Sequence, residues 1–454
     1  MNRIRRIAAV WTCKLLIKIG KLAGKKGSST PGIYALKIYP GILEDLSKQV
    51  KHEIIAVCGT NGKTTTNNLI CSILEKKGYK VVCNKVGANM LPGVVTAFID
   101  SADLFGNLHA DYAAIEMDEA SCVRIFPHFT PDIMVISNLF RDQLDRYGEI
   151  DITVDFLKKA LALTKNTTLI INGDDPICAT IGKDFNQKVI TYGISEDLQI
   201  HLNETKEGQF CAYCGSRLAY DYYHYSQLGQ YHCESCGFQR PAIDYEATQV
   251  DIQNGLKFTV NQKMRIAVDY RGFYNVYNIL AALCTADCLH IDLSDINEIL
   301  SDYKPQIGRM EKFDLGKPVI LNLSKNPAGF NQGIFTVLSD THTKDIIVMI
   351  NDNAQDGKDI SWIWDVDFEK LDNEKVHSLG FCGIRRYDVN VRFKYADFER
   401  KSSKVYDDLK SAIKDMIKKG GEVLYILVNY TAIFQAQDIL KELEEEYRKG
   451  GLEI

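Results

Sequence analysis

The sequence predicts an α/β protein: a central nucleotide-binding domain on a parallel, doubly wound sheet, interrupted by a small cysteine-rich module and followed by a second, Rossmann-like α/β domain. Three observations carry this. Short apolar runs alternate with helical stretches at the spacing of βαβ units. The glycine-rich turn Gly59-Thr60-Asn61-Gly62-Lys63-Thr64-Thr65 stands between such a run and a helix. Four of the 13 cysteines form two Cys-x-x-Cys pairs, Cys211/Cys214 and Cys233/Cys236.

Composition narrows the class further. At roughly 150 residues per domain, 454 residues predict about three domains. A chain that is 46% hydrophobic and 25% charged is neither disordered nor collagen-like. With 54 basic against 59 acidic residues the net charge is −5, which excludes a global polycation for nucleic acid. No apolar run reaches the roughly 18–20 residues of a bilayer-crossing helix.

The first segment departs from this average. Arg3, Arg5, Arg6, Lys14, Lys18, Lys21, Lys25 and Lys26 precede any acidic residue, and Ile4, Ile7, Trp11, Leu15, Ile19 and Leu22 recur at steps of three and four. This predicts an amphipathic basic helix. Lys14 interrupts the apolar stretch and no small-residue cleavage site follows, so no secretory signal is expected. Two roles stay open: a peripheral contact with an anionic membrane surface, or packing of the apolar stripe on the protein body. The odd cysteine count, the length and the missing signal argue against a disulfide protein, so a reducing cytoplasm is expected, at the inner face of the cell membrane if the basic helix serves as a surface contact.

After Gly27–Gly32, strands are expected at Glu53–Cys58, Lys80–Cys83, Tyr112–Met117, Ile133–Ser137, Thr168–Asn172 and Lys188–Tyr192, with a helix from Lys63 to about Lys77. Tyr-rich polar sequence from about Leu198 to Arg240 reads as an insertion. Strand alternation returns over Val260–Val268, followed by a helix from Val276 to about Leu289. A second α/β unit begins near Lys317, with strands at Val319–Leu323, Asp345–Ile350 and Val423–Val428 and a charged last helix, Ala432–Tyr447. The domains are therefore expected at 1–45 (basic helical segment), 46–312 (central domain with the glycine-rich turn and the insertion at about 205–240) and 313–454 (second α/β domain).

In the glycine-rich turn, backbone amides and a helix N-terminus cradle phosphate, Lys63 reaches the β/γ-phosphates and the Thr64 hydroxyl suits Mg²⁺. Val57 stands where the general P-loop has its first glycine, so this is a variant. The two cysteine pairs, 18 residues apart and each followed by glycine (Gly215, Gly237), fit a tetrahedral Cys₄ zinc ribbon whose closed ligand set makes the metal structural. His224 and His232 are the alternative ligands nearby.

The Gly-Thr-Asn-Gly-Lys-Thr-Thr turn resembles that of the Mur ligase family, whose members activate a carboxylate with ATP as an acyl phosphate and join it to an amine. Glu116 matches the family's second magnesium carboxylate. Asn138, Asp142-Gln143-Leu144-Asp145, Asn172-Gly173-Asp174-Asp175-Pro176, the adenine-side Asn275 and Asn278, and Gly308-Arg309-Met310-Glu311 continue the resemblance. Gln143 replaces a magnesium-binding histidine. Asn322-Leu323-Ser324-Lys325-Asn326-Pro327 replaces the family's amino-acid-binding stretch, with Asn322 in position to face the ribose.

The inserted ribbon and the stretch Asn351–Asp365 narrow the resemblance to the branch of the family that amidates lipid II with a GatD-like class I glutaminase as partner. That resemblance implies a heterodimer, ATP and Mg²⁺ as cofactors, and a structural Zn²⁺ on Cys211, Cys214, Cys233 and Cys236. It also implies that one aspartate of Asp352, Asp356 and Asp359 completes the partner's Cys-His pair, with Asp359 preferred. Trp362 and Trp364 then suit an interface anchor, with a buried strand face as the alternative. The implied chemistry is ATP-dependent amidation of the α-carboxylate of D-glutamate in the stem peptide, with Lys63, Glu116 and Asp359 as catalytic residues. The rival readings are a Mur- or folylpolyglutamate-type ligase that adds an amino acid, and a non-catalytic nucleotide-switched adaptor.

Overall fold

The computed structural model describes residues 2–22, 28–84, 88–141, 150–199, 208–252, 255–270, 272–303, 310–353, 355–396 and 402–450. Two compact units account for them: one takes nearly all described residues up to Tyr303, the other those from Met310 onward.

The first unit opens with three helices, α1 (Asn2–Leu22), α2 (Thr30–Ile38) and α3 (Ile42–Ser47). Its sheet then alternates with helices: β1 (Ile54–Cys58), α4 (Lys63–Lys76), β2 (Val81–Cys83), α5 (Leu91–Ser101), β3 (Tyr112–Glu116), α6 (Glu119–Ile125), β4 (Ile133–Ile136), β5 (Thr168–Asn172) and β6 (Val189–Ile194). Strand β1 has every residue buried, the continuous apolar run expected of a parallel strand covered on both faces. It pairs in parallel with β3 on one side (Val57 beside Glu116) and β4 on the other (Cys58 beside Ile136). The chain runs outward from β1 to β2, returns to β3, and then crosses to β4. The carboxyl end of β1 is thus the switch point of the sheet, where open α/β sheets hold ligands.

The insertion carries the hairpin β7 (Ala219–Tyr225) and β8 (Leu228–His232), paired antiparallel apart from the main sheet. The main sheet then gains β9 (Tyr245–Asp251), β10 (Leu256–Val260) and β11 (Met264–Val268), in the order β11-β10-β9-β6-β5-β4-β1-β3-β2. The run Val260–Val268 is therefore not one strand. It turns at Asn261–Lys263, where Asn261 and Gln262 adopt positive φ, and splits into an antiparallel pair. Helix Asn275–Cys288 packs on α4 with its first twelve residues buried.

The second unit has six strands, β12 (Glu311–Asp314), β13 (Pro318–Leu323), β14 (Lys344–Met349), β15 (Val376–Cys382), β16 (Ser402–Val405) and β17 (Val423–Val428), ordered β12-β13-β17-β14-β15-β16. All neighbours are parallel except β12 and β13. Apolar clusters cover both faces: Ile413, Leu440 and Leu443 belong to one, Phe330, Phe368 and Phe393 to the other.

Candidate active site

The turn after β1 has the shape of a phosphate cradle because two glycines meet other atoms too closely for a side chain. Gly59 has φ +120°, and a Cβ there would stand 2.2 Å from Ser137 Oγ; Gly62 has φ +85°, and its Cβ would meet Asn278 Oδ1 at 2.2 Å. Residues following β4 fix the turn from below. Asn138 accepts the Thr60 amide at its carbonyl (2.8 Å) and the Asn61 amide at Oδ1 (2.9 Å), while its Nδ2 donates to Asn61 O at 3.0 Å. Thr60 Oγ1 accepts the Phe140 amide and donates to the Phe140 carbonyl. Asn138 is thus committed to holding the loop.

Lys63, Thr64 and Thr65 form the first turn of α4. Buried Lys63 donates from Nζ to Glu119 Oε1 at 2.9 Å and to the Gly59 carbonyl. Burial alone pushes an ammonium toward neutrality, but Glu119, Glu116 and Asp118 outweigh it and hold Lys63 above the ordinary lysine range. Glu119 Oε1 also accepts the Gly59 amide at 2.8 Å. Three buried carboxylates therefore surround one buried ammonium.

Glu116, at the end of β3, is clamped through its backbone by Asn84: its amide donates to Asn84 Oδ1 (2.9 Å) and its carbonyl accepts from Asn84 Nδ2 (2.7 Å). Its Oε1 accepts from Asn89 Nδ2 at 3.0 Å, whereas Oε2 is buried without a hydrogen-bond partner. An unpartnered buried carboxylate oxygen, in a cluster with more carboxylates than ammoniums, fits a hard divalent cation. Asn278, far along the chain, reaches the loop by its contact with Gly62; Thr66 Oγ1 donates to its Oδ1 at 3.3 Å, and its Nδ2 donates to Asn275 Oδ1 at 2.9 Å. Arg309 and the stretch Asp142–Asp145 lie outside the described residues.

Sequence reasoning missed Glu119. The available signal was its position, three residues beyond Glu116 and directly after the strand, at the first residue of α6.

The cysteine module brings Cys211, Cys214, Cys233 and Cys236 together, with their Sγ atoms all within 4.8 Å of one another. Each pair sits in a turn of the same design. Gly215 N donates to Cys211 O and Gly237 N to Cys233 O, and both glycines adopt φ +73°. Four thiols at this spacing are the donor set of a tetrahedral soft-metal site. His224 is not among them: it is fully buried, with Nδ1 2.8 Å from Tyr277 Oη and Nε2 2.9 Å from the Glu196 carbonyl. The module is tied to the main sheet through buried Asp174, which accepts from Arg240 Nε (2.7 Å), Tyr277 Oη (2.7 Å) and the Ile194 amide (2.9 Å). The next residue, Asp175, caps the helix Pro176–Asp184 and also accepts the Leu139 amide; burial raises its carboxyl to about 6.

In the second unit, the structure separates the three candidate aspartates. Asp356 is buried and spent on the Thr431 amide (2.8 Å), the Thr431 hydroxyl and the Asn353 amide. Asp352 pairs with Arg385 at 2.8 Å. Asp359 accepts the Ser361 amide at 2.8 Å, which holds its carboxyl below the ordinary range, and it lines a surface cavity of about 490 Å³ with Lys358, Trp364 and Tyr387. Trp362 and Trp364 sit in a 3₁₀ turn, Ser361–Asp365, not on a strand: Trp362 packs on Phe330, while Trp364 is half exposed against Tyr395. Asn322 is buried on β13; its Nδ2 donates to Ser324 Oγ at 3.2 Å and its Oδ1 has no hydrogen-bond partner.

The family model for the Mur ligase middle domain matches residues 57–234, and that for the MurT ligase C-terminal domain matches residues 323–433. The chain is 35% identical, over 98% of its length and 100% of the relative's, to the lipid II isoglutaminyl synthase (glutamine-hydrolyzing) subunit MurT of Staphylococcus aureus (strain COL). It is 33% identical, over 93% of its length and 96% of the relative's, to the subunit of that name from Streptococcus pneumoniae (strain ATCC BAA-255 / R6). Among solved structures, a pseudomurein peptide ligase type C from Methanothermus fervidus superposes with a TM-score of 0.68 at 24% identity, covering 88% of this chain and 80% of that one. MurF ligase from Thermotoga maritima, solved with ADP, gives 0.63 at 14% identity over 92% and 85%. These two share the fold. The full-length matches go further: the chain belongs to the MurT family of ligase subunits of glutamine-hydrolysing lipid II isoglutaminyl synthase.

Proposed function

We propose that this chain uses ATP to amidate the α-carboxylate of D-glutamate in the lipid II stem peptide, giving D-isoglutamine, with ammonia supplied by a GatD-like class I glutaminase in a heterodimer. A carboxylate oxygen attacks the γ-phosphorus, the bond to the ADP oxygen breaks, and an acyl phosphate forms. Ammonia nitrogen then bonds to the acyl carbon, the carbon–oxygen bond to phosphate breaks, and one ammonia proton leaves with phosphate. Lys63 and the N-terminal end of α4, which follows Gly62 and continues through Thr65, neutralise charge on the transferred group, while Gly59, Thr60 and Asn61, their amides bonded to Glu119 and Asn138, keep the turn in shape. Asn278, Arg309 and Asn322 serve the adenosine. Thr64 and Glu116 would hold Mg²⁺, which supplies charge neutralisation at the phosphates. The four cysteines would hold a structural Zn²⁺. The partner docks on the domain 313–454, where Asp359 orients the glutaminase histidine.

The observation that carries this reading is the cluster in which Lys63 lies among Glu116, Asp118 and Glu119 beneath a glycine-shaped cradle. Its test is mass spectrometry of lipid II incubated with the purified chain, Mg²⁺, ATP and ammonium, and then with the glutaminase subunit and glutamine. The expected product has one carboxylate converted to a carboxamide, with ADP released. Incorporation of an amino acid instead establishes the amino-acid-adding ligase reading.

A further inference from the structure

Helix α1 is apolar on two opposite sides. Ala9, Val10, Cys13 and Ile17 are buried where it packs on α2 and α5. The sequence stripe Ile4, Trp11, Leu15, Ile19 and Leu22 is not what it packs with: those side chains are 76%, 57%, 59%, 50% and 89% exposed. At about 100° per residue they share a sector about 80° wide, on the side away from the buried one. The turn Leu104-Phe105 adds to the patch, 56% and 61% exposed, and is fastened to the helix by Trp11 Nε1 donating to the Leu104 carbonyl at 2.8 Å. Asp103 holds that turn, accepting the Phe105 and Asn107 amides, each at 2.8 Å, so its carboxylate is committed to backbone donors.

We infer that this face docks on an anionic phospholipid bilayer, with the apolar stripe at the acyl boundary and the basic side chains among the phosphates. Contiguous apolar surface of this kind marks an interaction site on a folded protein. Charge selects the occupant. Arg3, Arg5, Lys18 and Lys21 are exposed on α1, Arg5 and Lys18 at the two edges of the stripe, and α1 contains no acidic residue. A second copy seated on this face would bring like charges together, whereas lipid phosphates neutralise them. A tryptophan at the boundary fits the same geometry, its ring in the apolar layer and its N–H bonded to a carbonyl. Among the described residues no helix is long and apolar enough to cross a membrane, so the contact is peripheral.

The test is flotation of the full chain with vesicles of equal parts phosphatidylglycerol and phosphatidylcholine, against phosphatidylcholine alone. The chain is expected to float with the anionic vesicles only. Lys18→Glu with Lys21→Glu should weaken binding by about tenfold or more. Leu15→Ser should weaken it while leaving the thermal midpoint unchanged, since that side chain is exposed. Phe105→Ser, outside the helix, should weaken it too, which keeps the test informative if a helix variant fails to fold. The inference is overturned by absence of flotation with anionic vesicles, or by flotation that none of these substitutions alters. It is equally overturned by a concentration-dependent dimer that Leu15→Ser disrupts in a chain that does not float.

Discussion

Glu119 Oε1 stands 2.9 Å from Lys63 Nζ and accepts the Gly59 amide at 2.8 Å, so one carboxylate oxygen holds both the cation and the first amide of the phosphate turn. Both side chains are nearly buried, and a buried charge that loses its partner costs several kcal/mol. Glu119→Gln should therefore destabilise the nucleotide-free chain by about 3 kcal/mol, as measured by chemical unfolding. The deficit should shrink when a non-hydrolysable ATP analogue with Mg²⁺ supplies phosphate charge to Lys63. Lys63→Ala should lower ammonium-driven turnover by about a thousandfold or more, because the transferred phosphoryl loses its main cation.

The cysteine module gives a metal prediction independent of turnover. With four thiols within 4.8 Å of one another, the chain should bind about one equivalent of zinc by elemental analysis. Cys214→Ser should release it and lower the thermal midpoint, since metal binding in a small module is largely its folding free energy. Retention of a full equivalent by that variant would place the metal elsewhere.

Asp175 makes the stability depend on pH in a definite sense. Its carboxyl is raised by burial to about 6 in the folded chain, against about 3.9 when unfolded. Between those values the folded state binds more protons, so this group's contribution is greatest below the unfolded value and falls as pH rises through about 6. Asp175→Asn removes that dependence. It also perturbs the bonds from Leu139 and Ile177, an offset independent of pH. The difference in unfolding free energy, variant minus parent, should rise by roughly 2–3 kcal/mol from pH 4 to pH 7. A difference that stays flat would mean that Asp175 titrates normally.

The fold and the site differ in how far sequence exposed them. The all-buried strands β1, β3 and β4 read clearly because parallel strands covered on both faces are unbroken apolar runs. The loop Gly59–Thr65 read clearly because glycine is required where φ is positive and space is absent. Glu119 did not, since an acidic residue in a first helical turn is ordinary dipole chemistry and its pairing with Lys63 depends on strand order. Nor did the outward stripe of α1. Periodicity finds an apolar face without saying whether protein covers it, and here small residues, Ala9 and Cys13, took the covered side. Among the aspartates of the loop following β14 the sequence favoured Asp359, but the tie of Asp356 to Thr431, 75 residues later, is visible only in the fold.

That separation yields the sharpest test of the second unit. Asp352 is paired with Arg385 and Asp356 is committed to Thr431, whereas Asp359 lies at the cavity with Trp364. If Asp359 orients the partner's histidine, Asp359→Asn should lower glutamine hydrolysis by the heterodimer by about a hundredfold or more, an asparagine being unable to stabilise an imidazolium. The same variant supplied with ammonium should amidate lipid II at the parental rate, because the ATP site is untouched. Asp356→Asn should behave differently: it loosens the ties to Thr431 and Asn353, so the thermal midpoint should fall. Equal loss of both activities in Asp359→Asn, with the heterodimer intact by sedimentation, would assign Asp359 to the amidation chemistry itself.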